Sequence, residues 1–217
     1  MKWLYLMGCR AEARPTVSFV GRTLVRQYPI LLALILLAAC SVPLKSDFPS
    51  DQIYRLQPQV AIAPQASNIN LYLPKIEVSP ELDNAHIALI KPPNQQDFIA
   101  RSRWPDNLSI YLHGVVLDAL SRSGSFQSVS SQMVGKDDNY RLVLRVSAFQ
   151  AEYPPGGKGS ASVDVVMDAL LVRVKDQRLL GQHRYAIRKD NVPVSTSKIV
   201  EALEQALGEG IAAMVAD

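Results

Sequence analysis

The sequence contains little of the chemistry that marks an enzyme or a metalloprotein. Only 2 of its 217 residues are cysteine and only 3 are histidine. Because the histidines do not follow a His-x-x-x-His spacing and no Cys-x-x-Cys pair occurs, the usual patterns of a metal site are missing. A Gly-x-Ser-x-Gly nucleophile elbow is also missing. The sequence therefore predicts no catalytic residue, no metal and no cofactor, and we expect His86, His113 and His183 to be structural.

The chain also lacks an apolar run long enough to cross a membrane. Its longest run covers residues 30–39, and as a helix with a rise of ~1.5 Å per residue it would span about half of a bilayer core of ~30 Å. The run follows Arg22 and Arg26, ends in two small residues and stops at Cys40. These features are typical of a bacterial lipoprotein signal rather than of a transmembrane anchor. The predicted cleavage motif consists of Leu37, Ala38 and Ala39.

A lipoprotein signal predicts a lipid anchor at Cys40. In proteins with such signals the cysteine sulfur receives a diacylglycerol, the peptide bond before it is cut, and the new amine is acylated. Several acyl chains hold a protein at a bilayer almost permanently, at ~0.8 kcal/mol per buried methylene. Ser41 follows Cys40, and lipoproteins of diderm bacteria without aspartate at this position are sorted to the outer membrane. We therefore expect attachment to the outer membrane, with the folded part facing the periplasm.

Removal of residues 1–39 makes the chain almost neutral. This segment contains five basic residues and one acidic residue, so 18 basic and 19 acidic residues remain of the 23 and 20 in the whole sequence. The resulting net charge of −1 gives no reason to expect nucleic-acid binding. Cys9 lies in the removed segment and Cys40 carries lipid, so no disulfide is expected. The remaining 178 residues are enough to bury a core without one.

The sequence predicts three parts. Residues 1–39 form the signal peptide, although the first nineteen residues fit a signal poorly, because they contain Glu12 and a proline, and a start at Val20 is the alternative. Residues 40–52 are polar, contain Pro43 and Pro49, and predict a lipidated tether. Residues 53–217 are predicted to form a single domain, because no second linker interrupts them.

The periodicity of this domain predicts an α+β fold. The predicted short strands are 53–56, 69–73, 76–78, 86–90 and 97–101. The longer alternating segments, which predict an antiparallel meander, are 140–153, 160–174 and 179–187. One helix is expected to be capped by Asp106 or Asn107 and to end at Ser123-Gly124, and a second begins at residues 195–197. We therefore expect a two-layer α+β domain with a largely antiparallel sheet packed against two main helices.

Several local features of this domain have structural interpretations. The glycine-rich residues 156–160 lack the Gly-x-x-x-x-Gly-Lys-Ser/Thr spacing of a phosphate loop and precede a strand, which favours a hairpin tip. Trp104 stands before Pro105 at the entry to the first helix, and we expect it to anchor the core. Gly208 and Gly210 weaken the second helix by ~1 kcal/mol each unless close packing requires them.

The order of these features resembles one protein family. A lipobox and a short tether precede a Tyr-x-Leu strand, here Tyr54-Arg55-Leu56, and further strands end near Trp104 and its helix. A long-stranded meander and a terminal helix follow. This order, from Cys40 to Asp217, is similar to that of the ABC-type transport auxiliary lipoproteins, the family that includes paraquat-inducible protein C.

The resemblance implies a non-enzymatic outer-membrane lipoprotein that works beside a permease, an ATPase and a periplasmic protein of the mammalian-cell-entry type, which move lipids between the two membranes. On this hypothesis the chain docks the periplasmic protein, and formation of a homo-oligomer stays open. The expected contact is an unpaired sheet edge; its residues are Ile69, Leu71, Tyr72 and Leu73. The alternatives are an assembly or pilot lipoprotein of another envelope machine, a periplasmic lipid-binding protein and, last, an enzyme.

Overall fold

The computed structural model describes residues 50–63, 65–133, 139–157 and 159–217. Within these residues the chain forms nine strands and two α-helices. The strands are β1 (Gln52–Ile53), β2 (Ser67–Tyr72), β3 (Glu77–Val78), β4 (His86–Lys91), β5 (Gln95–Arg103), β6 (Phe126–Ser130), β7 (Asn139–Glu152), β8 (Ala161–Arg173) and β9 (Arg178–Val192). The helices are α1 (Leu108–Arg122) and α2 (Thr196–Ala216). The predicted α+β class with two main helices is confirmed.

The three longest strands form the predicted antiparallel meander. β7 pairs with β8 from Tyr140 opposite Arg173 to Glu152 opposite Ser162, and β8 pairs with β9 over most of its length. Along most of β8 the side chains alternate between buried and half-buried positions, because successive residues of a strand point to opposite faces. The same alternation in the sequence is what made the meander predictable.

The other side of β7 pairs with three short strands in succession. β2, β3 and β4 lie parallel to the first, middle and last residues of β7 respectively. The sheet then continues from β4 through antiparallel β5 to β1, and from β2 to parallel β6. The sheet is therefore mixed, with long antiparallel pairings and mostly short parallel ones.

The two helices pack on the inner face of this sheet. α2 lies over β8 and β9, and α1 lies beside α2, near β6 and β3. The inward side chains of β8, among them Val163, Val165 and Met167, are buried beneath the apolar stripe of α2. Trp104 is 1% exposed, and its ring centroid lies 5.7 Å from that of Tyr111. The two-layer architecture and the role of Trp104 in the core are as predicted.

The glycines of α2 allow close approach to its neighbours. A Cβ atom on Gly210 would lie 2.4 Å from Cε of the buried Met167, and a Cβ atom on Gly208 would lie 3.0 Å from the carbonyl oxygen of Gln59. Both distances are shorter than ordinary carbon contacts. Close packing therefore accounts for two residues of low helix propensity in the middle of α2.

The start of α1 is capped by a residue distant in sequence. Asn107 occupies the N-cap position, but its side chain makes no capping hydrogen bond. The Asp83 carboxylate instead accepts hydrogen bonds from the N–H group of Ser109 at 2.9 Å and from its hydroxyl at 3.1 Å. The structure confirms Asn107, one of the two predicted positions, as the N-cap residue, but the side chain that accepts the hydrogen bonds is Asp83, because the turn before β4 brings it to the same place.

The chain between β1 and β2 also differs from the prediction. Instead of a strand over 53–56, β1 ends at Ile53, and residues 54–63 form a strap that contacts both helices. The N–H group of Leu56 donates to Tyr111 Oη of α1 at 2.5 Å, and that of Gln57 donates to the Glu204 carboxylate of α2 at 2.8 Å. Because these backbone donors are directed at the helices, they do not extend the ladder with β5.

Candidate functional site

An apolar groove of 510 Å³ opens at one end of the inner face of the sheet. Its floor is formed by β7, β8 and β9, and its walls by β2, the start of β6 and the last turn of α2. Concave sites for small ligands commonly have volumes of about 300–1,000 Å³. The apolar side chains that line the groove include Ile69, Leu71, Leu142, Leu171, Leu180 and Met214.

Within the described residues, the groove lies where the helix layer does not reach the ends of the long strands. α2 ends at Ala216, whereas Leu171 and Leu180, near the β8–β9 turn, remain partly exposed. Gly181 of β9 adds no side chain to the floor, and a Cβ atom there would lie 3.7 Å from the His183 ring, an ordinary contact distance. The floor therefore keeps a space that a larger residue would fill. A glycine inside a strand, here beside the register shift at Leu180, is the sequence signal for this space.

A polar cluster lies beside the end of α2. The Tyr185 hydroxyl donates to the Asp217 carboxylate at 2.8 Å, and His183 Nδ1 lies 3.6 Å from the same oxygen. The His183 and Tyr185 rings are stacked, with centroids 6.3 Å apart. Burial, together with the hydrogen bond to Asp217, raises the pKa of Tyr185 to about 12. Tyr185 is therefore a neutral hydrogen-bond donor at physiological pH.

Two of the four residues predicted to contact a partner line this groove. Ile69 and Leu71 belong to its wall, whereas Leu73 is fully buried in the core. Tyr72 lies on the opposite face of β2 from Leu71 and is half-buried. The premise of an unpaired edge is corrected, because β2 pairs with β6 on one side and with β7 on the other. Contact of these residues with a partner stays a prediction.

The outer face of the sheet carries alternating charges across four strands. Glu77 is in register with Arg145, Arg145 with Asp168, and Asp168 with Arg184. Arg184 Nη1 lies 3.7 Å from the Asp168 carboxylate. Opposite charges on directly paired residues stabilise a sheet modestly, so this row has a structural explanation.

A second charged cluster on this face surrounds Arg188. Its guanidinium donates to the carboxylates of Glu152, Asp164 and Asp190 at 2.8, 2.6 and 3.0 Å respectively. The hydrogen bond with Glu152 is the main reason that the pKa of Arg188 is raised, whereas burial raises the pKa of Asp164. Because each carboxylate is already bound to the guanidinium, the cluster is best explained as a support for the β8–β9 pairing.

The three histidines lie on different elements. His86 is on β4 with its ring 5.3 Å from that of Phe98, His113 is on α1, and His183 is in the cluster beside α2. Buried Nδ1 of His113 has no hydrogen-bond partner within the described part of the chain, unlike a typical structural histidine. Across the described ranges, no three His, Cys, Asp or Glu residues are grouped so as to hold a metal ion.

The predicted lipidation site lies outside the described residues. This applies to Cys40 and to the cleavage motif of Leu37, Ala38 and Ala39, so both stay predictions. Among the helices that the structure describes, none has the length and apolar character needed to span a bilayer.

Solved structures with the same fold come from proteins of low sequence identity. The crystal structure of a Xanthomonas campestris protein, XCC0632 of the DUF330 family, is similar with a TM-score of 0.65 at 20% identity, over 76% of this chain and 92% of that one. An uncharacterised protein of known crystal structure has a TM-score of 0.59 at 16% identity, over 77% of this chain and 98% of that one. At these identities the similarity shows the fold alone. A comparison with curated proteins found no match.

One family model matches most of the chain. The model of the ABC-type transport auxiliary lipoprotein component covers residues 54–215. The match begins directly after β1 and ends in the last turn of α2, so it includes the strap, both helices and the whole meander. The chain therefore belongs to the family of ABC-type transport auxiliary lipoprotein components.

Proposed function

We propose that the chain is a non-catalytic auxiliary component of an ABC-type transport system of the mammalian-cell-entry type, which moves lipids between the inner and outer membranes. Acyl chains on Cys40 hold it at the outer membrane, and its folded domain docks the periplasmic protein that works with the permease and the ATPase. The family match over residues 54–215 carries the proposal. The match begins fourteen positions after Cys40, the predicted lipidation site, as expected for a lipid-anchored domain.

The short tether supports a docking role. Gln52, the start of β1, comes twelve positions after Cys40. Since an extended chain spans at most ~3.6 Å per residue, the start of the domain stays within about 43 Å of the lipid anchor. Confinement to this distance raises the effective concentration of the domain near any partner that reaches the outer membrane. A contribution of this kind requires no catalytic group.

The contacts of the strap support a firm connection between the predicted lipid anchor and the helices of the domain. It follows the tether almost directly and joins both helices, and Arg122 Nη2 of α1 also donates to the carbonyl oxygen of Pro58 at 3.2 Å. At its far end the N–H group of Ala63 donates to the carbonyl oxygen of Ser123 at 2.7 Å. The strap that follows the predicted tether is therefore held against the helix layer.

Replacement of the lipobox cysteine tests the proposal. We expect Cys40→Ala to abolish incorporation of radioactive palmitate, to remove the chain from the outer-membrane fraction and to reduce lipid transport to the level of a deletion strain. Cys9→Ala is the matched control, because it removes the other cysteine from the segment that is cut away. Wild-type lipid transport by Cys40→Ala, or palmitate labelling that persists in it, would contradict the proposal.

A further inference from the structure

The groove and the β8–β9 turn together form a surface with an apolar and a basic part. We propose that this surface binds a membrane glycerophospholipid, with one acyl chain in the groove and the phosphate of the headgroup at the turn. The inference goes beyond docking to a partner protein, because it gives the domain a lipid-binding site of its own.

The apolar part fits a hydrocarbon chain. Its lining is mainly aliphatic, with flexible Met214 on the wall and Leu180 at the mouth. Leu180 is 44% exposed and lines the groove, so it extends the apolar surface that is accessible to a ligand. Within the described residues no element covers this end of the sheet, so a chain has access from solvent.

The basic part provides charge complementarity to a phosphate. The β8–β9 turn carries Arg173, Lys175 and Arg178 against a single acid, Asp176. Asp176 is already bound by Arg173, through two hydrogen bonds of 3.0 and 2.8 Å. Lys175 and Arg178 are exposed, and because Asp176 pairs with Arg173, they leave an excess of positive charge at this turn. An anionic headgroup is the ligand that such a site favours.

The distance between the groove and the basic turn is short enough for a single phospholipid to contact both. Leu171 precedes Arg173 by two residues, and Leu180 follows Arg178 by two residues. At ~3.3 Å per residue in a strand, the basic side chains start about 7 Å from the lining of the groove. The opposite end of the groove carries the Asp217 carboxylate beside Tyr185, which repels a phosphate. The charges therefore orient the lipid with its headgroup toward the β8–β9 turn.

Photocrosslinking in cells tests the inference on the full chain. Cells that express it are fed a palmitate analogue carrying a diazirine and an alkyne, which enters their phospholipids, and are then irradiated. The chain is purified and its adducts are located by mass spectrometry. We expect phospholipid adducts on the peptides that contain Leu171, Leu180 and Met214.

Two neighbouring leucines offer a matched pair of variants. Leu180→Glu places a carboxylate in the groove, where burial by hydrocarbon is costly, and we expect it to reduce the adducts by at least about tenfold. Leu179 is 49% exposed, is paired with Val172 and does not line the groove, so Leu179→Glu should leave the adducts unchanged. Gly181→Val fills the floor without adding charge and should reduce the adducts similarly. Thermal unfolding of each variant establishes that it is folded.

The headgroup is tested by removing charge from the turn. We expect the double variant Lys175→Gln and Arg178→Gln to lower the share of phosphatidylglycerol among the adducts severalfold, whereas Arg55→Gln with Lys198→Gln removes the same charge elsewhere and should not. An absence of groove adducts, an equal loss in Leu179→Glu, or a crosslink to the acyl chains of Cys40 itself would overturn the inference. Groove adducts in cells that lack the transporter partners would support lipid binding by the groove even if the docking role failed.

Discussion

At the scale of single residues, the contact between Tyr185 and Asp217 has a consequence for stability. The neutral phenol donates a hydrogen bond to a carboxylate in a mostly buried position, and ionisation would place two negative charges side by side. The folded state therefore retains the phenolic proton to a higher pH than the unfolded state. Tyr111 and Tyr153 are affected in the same direction, because burial raises the pKa of each.

We expect the free energy of unfolding to fall as the pH rises from about 10 to about 12. In this window the unfolded tyrosine has lost its proton, whereas Tyr185 in the folded state still binds it, since its pKa is raised to about 12. The linked loss for Tyr185 is on the order of 2 kcal/mol. Denaturant titrations at several pH values should show a shallower decline for Tyr185→Phe. An unchanged slope in that variant would show that the contact does not couple protonation to folding.

At the scale of secondary-structure elements, the sequence predicted those elements whose pattern lies in neighbouring residues. The alternation in β8 and the apolar stripe of α2 are both visible within a short stretch of sequence, and both elements occur where they were expected. β6 was missed because its polar sequence, Phe126–Ser130, has a weak strand pattern, and it is held by parallel pairing with β2. The N-cap position of α1 was predicted, but its hydrogen-bond acceptor was not, because Asp83 reaches the helix only in the folded chain.

The cap of α1 gives a prediction with a matched control. Asp83→Ala leaves the N–H group and the hydroxyl of Ser109 without their acceptor, and we expect it to lower the free energy of unfolding by about 1–2 kcal/mol. Asn107→Ala removes a side chain that makes no capping bond, and its effect should stay within about 0.5 kcal/mol. Chemical denaturation measures both. A larger loss in Asn107→Ala than in Asp83→Ala would refute this assignment of the cap.

At the scale of the whole molecule, the groove is assembled from segments distant in sequence. Ile69, Leu142, Leu180 and Met214 meet only because β2 and β7 pair in parallel and α2 returns across the sheet. Ile69 and Leu71 were singled out from sequence as contact residues, but as members of an open edge and not of a groove wall. The family, in contrast, was recognisable from the order of predicted lipobox, helix, meander and terminal helix, because that order is a property of the chain itself.

Co-purification identifies the machine in which this lipoprotein works. The most direct measurement is quantitative mass spectrometry of proteins that co-purify with the full chain after mild crosslinking in cells, with Cys40→Ala as the reference. We expect wild type to enrich a mammalian-cell-entry type protein together with its permease and ATPase, and Cys40→Ala to enrich them far less. Enrichment of the components of a different envelope machine, such as a lipopolysaccharide-assembly or secretion complex, in place of these three would contradict the proposed function.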